Sequence, residues 1–597
     1  MSPYSPQKHD KEHHRNMIVA LILAGLVMFA WEIFYNMPMR QAREAAQAEQ
    51  SRLKAEQLKN SPAAKADNFG GIDIEDSYNL STDDIQIKQL PPRNEVLRQA
   101  PRVKINNGRI HGSISLKGAR IDDVTLADYK QTIEKNSPEV ILMSPAGSQD
   151  ANFIELNWIA EKKSTKIPKP DTLWEIANGN ILTENSPITL RWDNGEGLIF
   201  YITYSLDKNY MFSAEQSIEN YGNDTLVFFP YGLISKSKII DNGKAPLGIL
   251  HTGAIGVIND KLEEVDYDDL REDKNYQYDE SNGWIGITDK YWFKALLPQN
   301  NEKFKSNFRY SNASGTEKFQ VDYLGEGKYL SPGQKISYSA NIFAGAKELA
   351  LLESYEEKYN ARLFDRAIDF GFLYFLTKPL SHLLKFFYNL VGNFGIAIIL
   401  LTFCVKLALF PIARKGYISM GRLKELGPKM KDLKDRNKDD KAGMNQALMQ
   451  LYRDEKVNPA SGCLPILLQI PIFFALYKVL FISLEMRHAP FFGWIQDLSA
   501  PDPTSFWNLF GLLPFDGPAF LTIGVWPIAM AFTMFLQQLV SPAPTDPMQA
   551  KVMRFLPLLF LFMFYSFPAG LIIYWTFSNL LTFSQQFYFT RRHPRDK

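Results

Sequence analysis

Apolar residues crowd the two ends of this chain, and the long stretch between them is polar on average. The first apolar run, Met17 to Trp31, continues unevenly through Ile33, Phe34 and Tyr35 and follows a leader carrying Lys8, Lys11 and Arg15. It predicts one membrane crossing over residues 17–36, behind a cytosolic leader of residues 1–16. A cleavable signal peptide is the competing reading, because small residues follow in Ala42–Ala48. Trp31, Glu32 and Phe34 part the apolar core from those alanines by roughly three helical turns, which favours an uncleaved signal anchor.

Residues 37–65 are rich in Ala, Gln, Glu and Lys and read as a linker or exposed helix. The period then changes to two. Ile188, Leu190 and Trp192 recur at alternate positions, as do Phe200, Ile202, Tyr204 and Leu206, with turns such as Asp193-Asn194-Gly195 between runs. Glycines interleave the strand residues Ile110, Ser113 and Leu116 in NGRIHGSISLKGARIDD. Many short strands over residues 66–345 predict one enlarged β-sandwich rather than two domains. Residues 346–393 turn helical. There Lys378, His382 and Lys385 share one face while Leu380, Leu383, Leu384 and Phe387 take the other, as in a helix lying in the outer membrane interface.

Residues 394–590 read as a helical core. Crossings are predicted at Phe394–Ala413, Cys463–Leu484 and about Ala519–Leu539. The last apolar stretch, Phe555 to Phe589, would exceed ~50 Å as one helix, against a hydrocarbon core of ~30 Å. It must fold back, and Phe567-Pro568-Ala569-Gly570 is the available breaker. That makes six crossings. The thirteen residues between Arg554 and Pro568 leave roughly 20 Å of helix for the fifth, short enough to favour local thinning of the bilayer. The fold class is a multi-pass α-helical membrane protein with a large all-β (β-sandwich) domain.

Twelve Lys and Arg residues between Arg414 and Lys456, against Arg487 alone in the next loop, orient the chain. The positive-inside rule places both termini and the basic loop in the cytosol. The long β domain then lies outside, in the periplasm of a Gram-negative cell. Residues 414–458 form a predicted helical hairpin, with Leu423, Leu426, Met430 and Leu433 on one arm and Met444, Leu448 and Leu451 on the other. Its charge suits ribosomal RNA, anionic lipid or nascent chains, or serves topology alone. A short basic tail, residues 591–597, closes the chain.

Over all 597 residues the charges nearly cancel, Lys and Arg at 66 against Asp and Glu at 65, so no polyelectrolyte role follows. The two cysteines, Cys404 and Cys463, offer neither a disulfide to the β domain nor a metal or redox spacing. No cysteine near the N-terminus is expected to take lipid. Nucleotide-loop, HExxH and GxSxG motifs are absent, so neither an enzyme nor a cofactor site is expected.

Lys406 is the most informative residue. It stands in FGIAIILLTFCVKLALFPIA with apolar residues on both sides, where a charge costs ~2.5–3.5 kcal/mol and usually faces a cavity. The alternative is a lysine snorkelling over roughly 10 Å to the cytosolic interface. Thr402, one turn earlier on the same face, argues for a hydrated groove lined by both. Gln469 and Phe473, four apart on the third crossing, offer a matching face or a helix–helix hydrogen bond. Lys478 reads as snorkelling outward. Tyr574, Trp575, Ser578 and Asn579 form a polar-aromatic patch on the last crossing, for which an aromatic belt is the competing reading.

Residues 370–590 carry a resemblance. FLTKPLSHLLKFFYNLVGNFGIAIILLTFCVKLALFP, LYRDEKVNPASGCLPILLQIPIFFALYKVL, SLEMRHAPFFGWIQDLSAPDP, SPAPTDPMQAKVMRFLP and FPAGLIIYWTFSNLLTFSQQ are similar to the YidC insertase family, in that family's order. RIHGSISLKGARIDD and GWIGITDKYWFKALLP resemble its Gram-negative form. The resemblance implies a bacterial inner-membrane insertase and chaperone that binds nascent membrane proteins, alone or beside the Sec translocase, with no small-molecule substrate. It implies a groove open to cytosol and lipid but closed outside, with Lys406, Thr402, Gln469, Phe473, Tyr574 and Trp575 at groove or substrate-contact positions. Ile470 and Pro471 fall on the slide along which a substrate helix leaves for lipid. Lys406 stands where the family usually has arginine, and Trp575 where it usually has tyrosine. The long basic ribosome-binding tail of some relatives is not expected here. A solute transporter would instead show polar residues along several crossings and internal repeats.

Overall fold

The computed structural model describes residues 90–237, 250–299, 302–312, 315–436, 441–455, 457, 464–510, 513, 522–541 and 547–592. The expected first crossing, its linker and most of the basic tail lie outside the described residues.

Between Arg102 and Ala346 the chain builds two sheets, of eleven and nine strands among the described residues. Asn152–Ala160 pairs antiparallel with Leu226–Lys236 in the larger sheet. In the smaller one, Met211–Asn220 lies between Leu198–Leu206 and Lys335–Ala346, also antiparallel. The period of two seen in the sequence becomes burial: Leu198, Phe200, Ile202, Tyr204 and Leu206 all face the interior. Phe200 meets Phe228 of the opposite sheet edge-on, ring centroids 6.1 Å apart. One apolar cluster draws on both sheets, so this is a single enlarged sandwich. Each such aromatic contributes roughly 1.5–3 kcal/mol by leaving water. Gly112 is fixed by close approach, since any Cβ there would strike the Asp123 carbonyl across the strand pair.

The last strand runs into α1 (Leu349–Lys358), whose Leu349, Leu352 and Tyr355 enter the sandwich core. Then come α2 (Tyr374–Val391), α3 (Phe394–Glu425), α4 (Gly427–Arg436), α5 (Lys441–Asp454), α6 (Leu464–Ile482), α7 (Val525–Val540), α8 (Pro547–Phe564) and α9 (Ala569–Arg592). Among the described residues α3 is long and apolar enough to cross a membrane, and Gln469–Ile482 and Val525–Val540 are shorter apolar helices. The chain folds back between Phe564 and Ala569, at the Pro-Ala-Gly breaker.

Two helix limits differ from expectation. α3 continues past Ala413 to Glu425, running through Pro411, Gly416 and Gly421, and the adjacent Gly427-Pro428 pair is where the chain breaks and the first hairpin arm is split. α7 begins at Val525 rather than near Ala519, with Gly524 extended before it and Pro527 in its first turn, where a missing N–H costs nothing.

The basic face of α2 is occupied. Lys378 pairs with Asp365 at 2.6 Å and Glu353 at 2.9 Å, and Lys385 with Glu485 at 3.6 Å, while Phe375, Phe386 and Leu390 stay exposed. Lys478 does not snorkel. It is buried, its Nζ 2.7 Å from Asp369 Oδ2 on the connector below the sandwich, since a buried ammonium needs a partner. Beyond it, Phe481, Ile482 and Leu484 join the sandwich core, so the outer end of α6 is packed into the β domain.

Candidate substrate groove

Asn393 starts α3 as a cap, its Oδ1 accepting from Ile396 N at 3.1 Å. Three turns on, the side chain of Lys406 leaves α3 and reaches two other helices. Its Nζ donates to Gln469 Oε1 of α6 at 3.0 Å and to Thr582 Oγ1 of α9 at 2.8 Å. Gln469 Nε2 in turn donates to the Tyr574 hydroxyl at 3.0 Å. The lysine is 9% exposed, and neither of these partners is a carboxylate. A cation with only neutral acceptors retains most of its field, and hydrogen bonds to a charge are worth about 1.5–3 kcal/mol each.

The expected site residues divide into two groups. Lys406, Gln469 and Tyr574 form one chain of hydrogen bonds. Ser578 accepts at its carbonyl from Thr582 Oγ1 at 2.8 Å, and Asn579 Nδ2 donates to Thr533 Oγ1 of α7 at 3.4 Å. Thr402 is buried one turn before Lys406, its hydroxyl donating to Ile398 O at 2.6 Å within its own helix.

Phe473 and Trp575 contribute none of those hydrogen bonds. Their rings are 4.6 Å apart, and Trp575 also meets Phe560 at 5.5 Å and Phe564 at 4.7 Å, so this aromatic patch joins α6, α8 and α9. Ile470, 45% exposed, and the exposed Pro471 face out of the bundle beside it.

Thr582 and Thr533 were not among the residues the sequence singled out. Thr582 had a signal: Tyr574, Ser578, Thr582 and Gln586 recur every four residues along one face of α9. Thr533 had a weaker one, standing four residues before Gln537 on an otherwise apolar stretch of α7.

A polar, cationic centre shared by three apolar helices beside an exposed apolar helix face can hold a hydrophilic segment next to a hydrophobic one. The comparisons with known proteins bear on that arrangement. Residues 102–383 match a profile described as the YidC periplasmic domain, and residues 386–596 one described as the 60Kd inner membrane protein. A membrane protein insertase YidC of Rickettsia bellii is 46% identical over 577 residues, covering 96% of this chain and 98% of that one. This chain belongs to the YidC family. The YidC of Rickettsia massiliae is also 46% identical, over 579 residues and 99% of its length. Among solved structures, an active YidC insertase with its first transmembrane domain resolved matches over 82% of this chain and 93% of its own, at 15% identity and a TM-score of 0.35. In YidC terms, then, the sandwich falls within the periplasmic-domain profile and the polar cluster within the inner-membrane profile.

Proposed function

We propose that this chain inserts integral proteins into the bacterial inner membrane and chaperones their folding, using the cluster around Lys406 as a groove for the substrate's polar segment. The observation that carries the reading is the Lys406 ammonium, buried between α3, α6 and α9 and bonded to Gln469 and Thr582.

The mechanism has three steps. An acidic or polar segment exchanges with the neutral acceptors around Lys406, which lowers the cost of holding it within the bilayer. The membrane potential then draws acidic groups outward, at ~2.3 kcal/mol per charge per 100 mV. Last, the apolar segment passes over Ile470, Pro471, Phe473 and α8 into lipid, where burial of its apolar surface favours release.

The accompanying topology has six crossings, a periplasmic β domain over 66–345, and both termini with the 414–458 hairpin in the cytosol. The Sec translocase, the ribosome and anionic lipids are the partners this placement suits, the last two through the basic hairpin. The test is insertion of a small acidic-tailed membrane protein into vesicles holding this chain, with Lys406→Arg, Lys406→Ala and Lys406→Glu compared. Arg is expected to retain insertion, while Ala and Glu lose at least ten-fold. Equal insertion by all would remove the groove charge from the mechanism.

A further inference from the structure

The segment Leu484–Asp502, between α6 and α7, is built into the end of the helical bundle. Met486, Ile495 and Leu498 are 0%, 1% and 0% exposed and share an apolar cluster with Ile398 and Leu401 of α3 and Leu571 and Ile572 of α9. Leu401 adjoins Thr402 in α3, and Ile572 stands two residues before Tyr574 in α9. The segment's side chains therefore fill the bundle immediately outside the polar cluster.

Its backbone also closes helix ends. Ala500 O accepts from Ala569 N at 2.7 Å and Leu498 O from Gly570 N at 2.9 Å, which satisfies the first orphan donors of α9. Phe491 O accepts from Asn393 Nδ2, the cap of α3, at 3.1 Å. The packing there is close, since a Cβ on Gly570 would lie 2.6 Å from Met486 Cε and 3.2 Å from Leu498 O.

One carboxylate ties the far end down. Asp502 Oδ1 accepts from Trp494 Nε1 at 3.1 Å, Thr504 N at 3.0 Å and Thr504 Oγ1 at 2.7 Å. Its Oδ2 accepts from Trp526 N, in the first turn of α7, at 2.9 Å, where the helix N-terminus favours a negative group. Asp502 is buried, and any Cβ on Gly524 would collide with it.

We propose that Leu484–Asp502 is the stopper that seals the groove on its outer side, and that Asp502 is the positioning residue that latches the stopper onto α7. This rests on the groove reading above. A seal that opened would let water reach the Lys406 cluster from outside and short-circuit the one-sided path. Asp is the fitting residue because it accepts four hydrogen bonds at once, whereas Asn would turn an NH2 donor against another donor.

The test reads access from each side. In full-length chain with Cys404→Ala and Cys463→Ala, Ser578→Cys is exposed to a membrane-impermeant maleimide added outside or on the cytosolic face of sealed vesicles. With Asp502 intact, labelling from the cytosolic face only is expected. Asp502→Ala, Asp502→Asn and Gly524→Val should each raise outside labelling at least ten-fold and leave cytosolic labelling unchanged. The isosteric Asn variant serves if the Ala or Val variants do not accumulate. Outside labelling that stays flat in a folded Asp502 variant overturns the stopper. Absence of cytosolic labelling in the parent overturns the groove instead.

Discussion

At the residue scale, buried charge decides what each lysine does. Lys406 was legible because a lone cation in an apolar run has few places to go, and the same logic singled out Gln469. Lys478 was misjudged because its partner, Asp369, lies over one hundred residues earlier. Only the fold brings the two together. Breaking that buried pair from one side, by Asp369→Ala, is expected to cost about 3–5 kcal/mol, and Asp369→Ala with Lys478→Met much less than the two single changes summed. Denaturant unfolding of the four variants measures it, and strict additivity would contradict it. In the sandwich, Lys294 donates to Asn152 Oδ1 at 2.7 Å, and burial pushes its ammonium down to about 7. Burial also brings Lys347 to about 8. The unfolded chain holds these protons up to the ordinary lysine value of 10.5, so between about pH 7 and 10 it binds more protons than the folded one. Stability then rises with pH across that window. Above it, buried tyrosines such as Tyr323, whose ionisation burial holds high, reverse the slope. The melting temperature of the sandwich should therefore climb from pH 7 to 9, and Lys294→Met should flatten the climb; an unchanged slope would sink this reading.

At the element scale, α6 carries the most. Its first half bonds Gln469 to Lys406 and exposes Ile470, its middle sets Phe473 against Trp575 at a tilt of 56°, and its last residues enter the sandwich. The sequence made the helix and its polar face visible, since one glutamine in an apolar run stands out. It hid the packing of Phe473 and Trp575 against each other and against α8, because an aromatic residue fits a groove wall and a helix interface equally well by pattern. Trp575→Ala is expected to cost about 2–4 kcal/mol, somewhat below the cost for a fully buried tryptophan, with Trp575→Tyr within about 1 kcal/mol of the parent. Thermal unfolding in detergent compares them, and a harmless Ala variant would place the ring against lipid instead. The fold-back before α9 was legible because Pro and Gly are the main breakers of an apolar helix. The start of α7 was not, because it is set by Asp502 and Gly524 rather than by hydropathy.

At the scale of the whole molecule, the division into an outer sandwich and a helical core could be read from the change of period alone. Their mutual packing could not. Phe481, Ile482 and Leu484 sit in the sandwich core, and Arg487 Nη2 donates to the carbonyls of Lys130 at 2.6 Å and Gln131 at 3.1 Å. Deleting residues 66–340 therefore bares three large apolar side chains at the end of α6. Insertion is expected to survive the deletion, with the core melting several degrees lower, and Arg487→Ala in the full chain should lower it far less. A deletion that leaves the melting temperature untouched would mean that the sandwich lends α6 no support.

The central claim is that a substrate's polar segment passes Lys406 before its apolar segment reaches lipid. Photo-crosslinking of an arrested acidic-tailed substrate, with probes at Gln469 and Ser578 beside Lys406, at the exposed Ile470 of α6, and at Phe403 and Leu407, both exposed on α3, tests that order directly. The account expects early crosslinks from the polar segment to Gln469 and Ser578, then later ones from the apolar segment to Ile470. Polar-segment crosslinks confined to Phe403 and Leu407 would place the path on the other face of α3 and contradict it.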